Sequence, residues 1–239
     1  MNATWTGINA MDDRIDEIAT PFLGKGKLIT IEGADGSGKS TQAYLLAQRL
    51  THLGVPVVLT REPGGCPFSE RLRQLLVSGQ PDSIHEKTEL LLMIAARIEH
   101  VRQVIGPSLE RGQWVVCDRF FDSTMAYQGY GRGIDRSMIE AIHRWAMGSL
   151  TPHLTILLTL DAAERRRRLQ GKLDSSQSFP ETRFEQEGES FQDRVHAGFM
   201  TLAKENDARF FVIDGFDSRE NIGEKIWINV WETFSRLLS

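Results

Sequence analysis

The chain has 239 residues, 41% hydrophobic and 25% charged, which is the make-up of one soluble α/β domain with a substantial core. With 28 Lys and Arg against 32 Asp and Glu the net charge is −4, which excludes bulk, sequence-blind nucleic-acid binding, since that needs a basic excess. The longest stretch without a formal charge, Trp145–Leu160, carries Pro152 and His153 and is too short to span a bilayer. Two cysteines, Cys66 and Cys117, make neither a disulfide framework nor a four-ligand zinc site, so a reducing, cytoplasmic compartment is expected.

Residues 1–26 contain Asp12, Asp13, Asp16 and Glu17 and no continuous apolar core, unlike a secretory signal or an acid-poor transit peptide. They read as an N-terminal extension with a helix around Asp12–Thr20, ended by Pro21. From Lys27 onward, strand-length apolar runs appear at Leu28–Ile31, Val55–Leu59, Trp114–Cys117, Leu154–Leu160 and Arg209–Ile213. Helical spacing fills the intervals. Phe191, Val195, Phe199 and Leu202 recur at four, four and three, and Ile222, Ile226, Val230, Phe234 and Leu237 repeat the pattern. This alternation predicts an α/β fold with a parallel five-stranded sheet covered by helices on both faces. Lys172–Glu189 is polar and nearly free of aliphatic residues, and reads as a lid or long loop.

Gly33-Ala34-Asp35-Gly36-Ser37-Gly38-Lys39-Ser40 matches G-x-x-x-x-G-K-[ST], after the first strand and before a helix at Thr41–Leu53. Such a loop turns backbone N–H groups inward as an anion nest at a helix start. Lys39 then reaches the β- and γ-phosphates, Ser40 offers a hydroxyl to Mg²⁺, and Thr41 completes the cradle. The segment therefore predicts binding of a nucleoside triphosphate. Trp114-Val115-Val116-Cys117-Asp118 ends in a carboxylate where ligands of parallel sheets bind, placing Asp118 within reach of the same magnesium. Arg119, next in the chain, is placed to hold a second phosphate by its fork of donors, and the segment from Asp118 through Gly129 reads as a long loop after the third strand. In the helix expected at Glu86–Arg111, Glu89, Met93 and Arg97 stand at i, i+4 and i+8 with His100 beyond, a pocket wall rather than a core face.

In chain order, the P-loop, Arg61-Glu62-Pro63-Gly64-Gly65, Ala95-Ala96-Arg97, Asp118-Arg119-Phe120 and Ala126-Tyr127-Gln128-Gly129 give the sequence from Lys27 to the C-terminus a clear likeness. It resembles the thymidylate kinase family, enzymes that phosphorylate dTMP with ATP. The resemblance implies a three-layer P-loop sandwich, domain limits of 27–239, a lid at about 165–189 and a homodimer, with helix faces such as that of Glu86–Arg111 at its interface. It implies that Asp35 lies near the sugar 3′-hydroxyl and the reacting phosphates. Glu62 and Pro63 border the monophosphate pocket, and Arg73 faces the acceptor phosphate. Arg97 meets the pyrimidine, Thr124 and Gln128 approach base and sugar edges, and Tyr127 crowds the 2′ position.

Two departures stand out. Met93 occupies the place where the family typically stacks a phenylalanine on thymine, which bears on base selectivity rather than on phosphoryl transfer. Gly36 replaces the arginine that some members carry in the P-loop, so the charge at the transferred group must come from the lid. Counting back from Gly171 selects Arg166 and Arg168 of the run Arg165–Arg168. Arg183-Phe184-Glu185 resembles the element that closes the family lid, with Thr182 in place of its aspartate. The expected catalytic set is Lys39, Asp35, Arg119, Arg168 and Arg183. Cys66 is expected to be open to alkylation and Cys117 to be buried. A kinase for another pyrimidine nucleotide, or an ATP-binding regulatory relative without turnover, remains open; a DNA-dependent motor is disfavoured by the lack of basic excess.

Overall fold

The computed structural model describes residues 26–173 and 183–238. Five strands, β1 (Leu28–Gly33), β2 (Val57–Arg61), β3 (Trp114–Asp118), β4 (Leu154–Thr159) and β5 (Phe210–Asp214), form one sheet in the order β2-β3-β1-β4-β5. Every neighbouring pair is parallel, with Ile31 opposite Asp118 and Ile29 opposite Leu154. All six residues of β1 are buried, as a central parallel strand covered on both faces must be. The second strand begins at Val57 rather than Val55, because Pro56 has no N–H to offer the ladder.

Helices α1 (Lys39–His52) and α8 (Arg219–Leu238) cover one face, where Leu46, Leu50, Ile222, Ile226 and Val230 pack on Ile29, Ile31, Val116 and Ile156. On the other side lie α2 (Pro67–Val77), α3 (Glu86–His100), α5 (Arg136–Met147) and α7 (Glu189–Glu205). The 191/195/199/202 stripe of α7 is fully inward, as its spacing predicts. The helix expected at 86–111 runs on past His100 through a π-helical turn at Val101–Ile105 into Gly106–Glu110. Pro107 provides the reason: it lacks the N–H that the regular ladder needs and crowds the preceding turn.

Two expectations are corrected. The segment after β3, expected to be a long loop, is helical, with α4 (Phe121–Thr124) passing into a π-helical turn at Met125–Gly131. Tertiary packing of Tyr127 edge-on against Phe184, Phe191 and Phe199 overrides its glycines. Gly131 permits this approach, since a Cβ there would lie 2.7 Å from the Phe191 ring. The polar stretch expected at Lys172–Glu189 is also shorter: α6 (Ala162–Leu173) extends into it, and at its far end Arg183 and Phe184 are buried. Residues 1–25, with the helix expected at 12–20, and residues 174–182, with Thr182, lie outside the described residues.

Leu50 is completely buried between the sheet and α8. Leu50→Ala is expected to lower unfolding stability by about 2–5 kcal/mol with no change in urea m-value, as urea titration will show.

Candidate active site

The nucleotide cradle forms where β1 ends beside β3 and β4, the crevice at which parallel sheets bind ligands. Gly33 (φ 137°) passes so close to β4 that a Cβ would meet the Leu158 carbonyl at 2.3 Å. Gly38 (φ 95°) starts α1 in the left-handed region and supplies no side-chain cap, leaving the first N–H groups of the helix for an anion. Lys39 Nζ donates to the Ala34 carbonyl at 2.8 Å and lies 3.8 Å from Asp35. Burial and the nearby Arg119 charge lower the Lys39 pKa to about 8, against the pull of Asp35, Asp118 and Glu32.

Ser40 Oγ donates to Asp118 Oδ2, while Asp118 Oδ1 is buried with no hydrogen-bond partner. A hydroxyl and a carboxylate with an unused oxygen suit a hard cation such as Mg²⁺, which takes one or two protein ligands and completes its shell with phosphates and water. Among the described residues no group of three or more His, Cys, Asp or Glu is placed to hold a metal ion.

Beside the cradle is a cleft walled by α2, α3 and the π-helical turn. Every residue expected at the acceptor site lines it: Glu62, Pro63, Arg73, Met93, Arg97, Arg119, Thr124, Tyr127 and Gln128, together with Asp35. Sequence reasoning missed Ser123 and the apolar wall supplied by Val77, Phe120 and Phe184. Arg97 is 3% exposed. Its Nε donates to Glu62 at 2.6 Å, and its Nη2 donates to Thr124 at 2.9 Å and the Phe120 carbonyl at 3.2 Å. Nη1, buried as well, has no partner. Burial would push the Glu62 pKa up, but Arg97 and His100 outweigh it and hold the carboxyl below its usual value. His100, singled out in the sequence, is buried with Nδ1 3.0 Å from Glu62 and Nε2 2.6 Å from Thr60.

At the junction of cradle and cleft, Arg119 has φ 70°, a left-handed conformation unusual for a side-chain-bearing residue. Its Nη2 donates to Asp35 at 2.7 Å and its Nη1 to Ser123 at 2.9 Å. Although burial opposes ionisation of Asp35, Arg119 and Lys39 hold its carboxyl far below the usual range. Arg73 donates to the Pro63 carbonyl at 2.9 Å; burial and the like charges of Arg61 and Arg119 lower its pKa. Cations crowded in this way at the mouth of a cleft make a site for a phosphate.

Two expectations change. Arg183, expected to reach phosphates, is fully buried with Nη1 on Glu89 at 2.7 Å and Nε and Nη2 on the Leu76 carbonyl. All three nitrogens of its guanidinium are engaged by these carbonyl and carboxylate oxygens. Cys66 is buried with Sγ 3.0 Å from Ser69 Oγ, so it is not open to alkylation. Cys117 is buried as expected, and burial pushes its thiol pKa well up. Arg168 donates to Glu164 at 2.7 Å and to the Gly215 carbonyl at 2.8 Å, on the donor side of the cradle, and Arg166 pairs with Glu189.

Glu32 is fully buried, accepting from the Phe120 N–H at 2.7 Å and Ser123 Oγ at 2.5 Å. Burial, with help from Asp122, raises its pKa from 4.5 to about 8. The folded state therefore keeps a proton that the unfolded chain loses first, and this group's contribution to stability falls as pH rises from 4.5 through 8. Chemical denaturation across that window is expected to show stability of Glu32→Gln rising steadily relative to the unsubstituted protein; equal pH dependence would refute a neutral Glu32.

The sequence model of the thymidylate kinase family matches residues 31–226. A thymidylate kinase of Magnetococcus marinus is 46% identical over 209 residues, covering 86% of this chain and 96% of the relative. One of Geobacter sulfurreducens is 46% identical over 195 residues, covering 82% and 92%. Among solved structures, thymidylate kinase from Ehrlichia chaffeensis superposes with a TM-score of 0.70 at 36% identity, covering 86% of this chain and 98% of that one. With the cradle, the cleft and these relatives in agreement over most of its length, the chain belongs to the thymidylate kinase family.

Proposed function

We propose that the protein transfers the γ-phosphoryl group of ATP to dTMP, giving dTDP and ADP by direct in-line displacement. The observation that carries this reading is the unpaired, buried Nη1 of Arg97, a residue that lines the cleft. Thymine presents carbonyl acceptors, and a buried site built to donate rejects bases that lack them there. Met93 and Phe184 flank the ring, Thr124 and Gln128 approach its edges, and Tyr127 excludes a 2′-hydroxyl. Arg73 and Arg119 take the monophosphate, with Glu62 and Pro63 bordering it.

An oxygen of that monophosphate attacks the γ-phosphorus, the bond to the β–γ bridging oxygen breaks, and ADP leaves with its electron pair. The residues Gly33–Thr41 hold the triphosphate, with Lys39 at the β- and γ-groups. Asp35 orients Arg119 and the 3′-hydroxyl side of the acceptor. Ser40 and Asp118, whose Oδ1 has no partner, would hold a Mg²⁺ ion, which would supply charge neutralisation at the phosphates. Arg168 exchanges its contacts with Glu164 and the Gly215 carbonyl for the phosphates when ATP is bound. The two free cysteines fit a reducing cytoplasm, and among the described residues no helix is long and apolar enough to cross a membrane. A homodimer, with Leu91 exposed on α3, completes the reading.

A coupled ADP-release assay with ATP and dTMP, dUMP, UMP, dCMP, dGMP and thymidine tests it. Turnover with dTMP far above the others is expected; tight ATP binding with a flat panel would instead indicate a regulatory protein. Arg97→Met is expected to raise KM for dTMP by about tenfold or more while leaving KM for ATP near its starting value. Met93→Phe is expected to keep or lower KM for dTMP, and a large increase would overturn the stacking assignment.

A further inference from the structure

Arg183 and Glu89 form an ion pair in which both side chains are 0% exposed, 2.7 Å apart. Such a pair persists only where the geometry is good and the remaining polar atoms are satisfied. Here they are. Arg183 Nε and Nη2 both donate to the Leu76 carbonyl, at 3.2 and 3.1 Å, and its backbone N–H donates to the Val77 carbonyl at 2.9 Å. Leu76 and Val77 are the last residues of α2, so Arg183 caps the unpaired carbonyls of the helix that bears Arg73. Glu89 in turn accepts from Gln128 Nε2 at 2.7 Å and from Arg132 at 3.1 Å.

We propose that Arg183 is a positioning residue for the acceptor pocket, fastening the chain that returns from the lid to the side chains that hold the base. The proposal rests on the kinase reading above. Three further contacts fasten the same return segment. Arg132 pairs with Glu187 at 2.5 Å. The Phe184 carbonyl accepts from Gln192 at 2.7 Å, and Gln192 accepts from Arg165 of α6 at 2.9 Å. The Phe184 ring is thereby set edge-on to Tyr127, with centroids 5.8 Å apart. Loss of Arg183 releases Gln128, Phe184 and the end of α2 together, while Lys39, Ser40 and Asp118 make none of these contacts. The acceptor side therefore responds and the donor side does not.

The test is steady-state kinetics on the full chain carrying Arg183→Met or Arg183→Lys, with thermal melting alongside. Arg183→Met is expected to raise KM for dTMP by about tenfold while KM for ATP stays within about twofold. Arg183→Lys keeps the charge on Glu89 but loses the fork on Leu76, and is expected to fall between. Should the methionine variant not fold, the lysine variant carries the test, with KM for dTMP up by about threefold and KM for ATP unmoved. An unchanged KM for dTMP in a folded variant, both KM values rising together, or a fall in kcat alone would overturn the proposal. Wild-type protein without turnover on dTMP would overturn the kinase reading itself, and the inference with it.

Discussion

The acceptor pocket depends on a charge that would be unfavourable alone, the Glu62 carboxylate buried beneath the cleft. Arg97 and His100 each take one of its oxygens, at 2.6 and 3.0 Å, and together they keep it ionised against its burial. Because Nε is bound to Glu62 and Nη2 to Thr124, the plane of the Arg97 guanidinium is fixed and Nη1 is left over. His100 also locks the loop that carries Glu62. It meets Thr60, and Gly65 packs so tightly on its ring that a Cβ would fall 2.2 Å from Nε2. Removing one partner of a buried charged network leaves the others unpaired, so β2, α3 and α4 are held in one arrangement.

The two halves of the site meet at Asp35 and Arg119. Asp35 comes from the P-loop and Arg119 from the end of β3, and their 2.7 Å pair joins the P-loop cradle to the neighbouring cleft. The left-handed backbone at Arg119 directs a long cation back across the sheet edge, the sort of strain that surrounding contacts must hold in place. The acidic balance of the whole chain conceals this local excess of positive charge. Lys39, Arg73, Arg97 and Arg119 line adjoining parts of the site, and the depressed pKa of Lys39 reflects burial and Arg119, that of Arg73 burial with Arg61 and Arg119.

Much of this was legible in the sequence because it is local. The P-loop announces itself by glycine spacing, the Asp118 strand end by an apolar run closing in a carboxylate, and the inward face of α3 by the fourfold spacing of Glu89, Met93 and Arg97. What escaped is set by contacts between distant segments. Tyr127 and Gln128 sit in a π-helical turn because α7 packs against it, and their glycine-rich sequence suggests a loop. Phe184 joins the cleft wall only because Arg183 and Gln192 fold its segment back under α3. An arginine near a lid suggests a phosphate, whereas the carboxylate that Arg183 meets lies 94 residues away in sequence.

The central claim is that the unpaired Arg97 Nη1 is the donor that recognises a pyrimidine carbonyl. A crystal structure of the full chain with dTMP bound tests it most directly. The account predicts the thymine ring between Met93 and Phe184, with one carbonyl within hydrogen-bonding distance of Nη1 and the phosphate at Arg73 and Arg119. Nη1 still without a partner while dTMP occupies the cleft, or dTMP bound elsewhere, would contradict it.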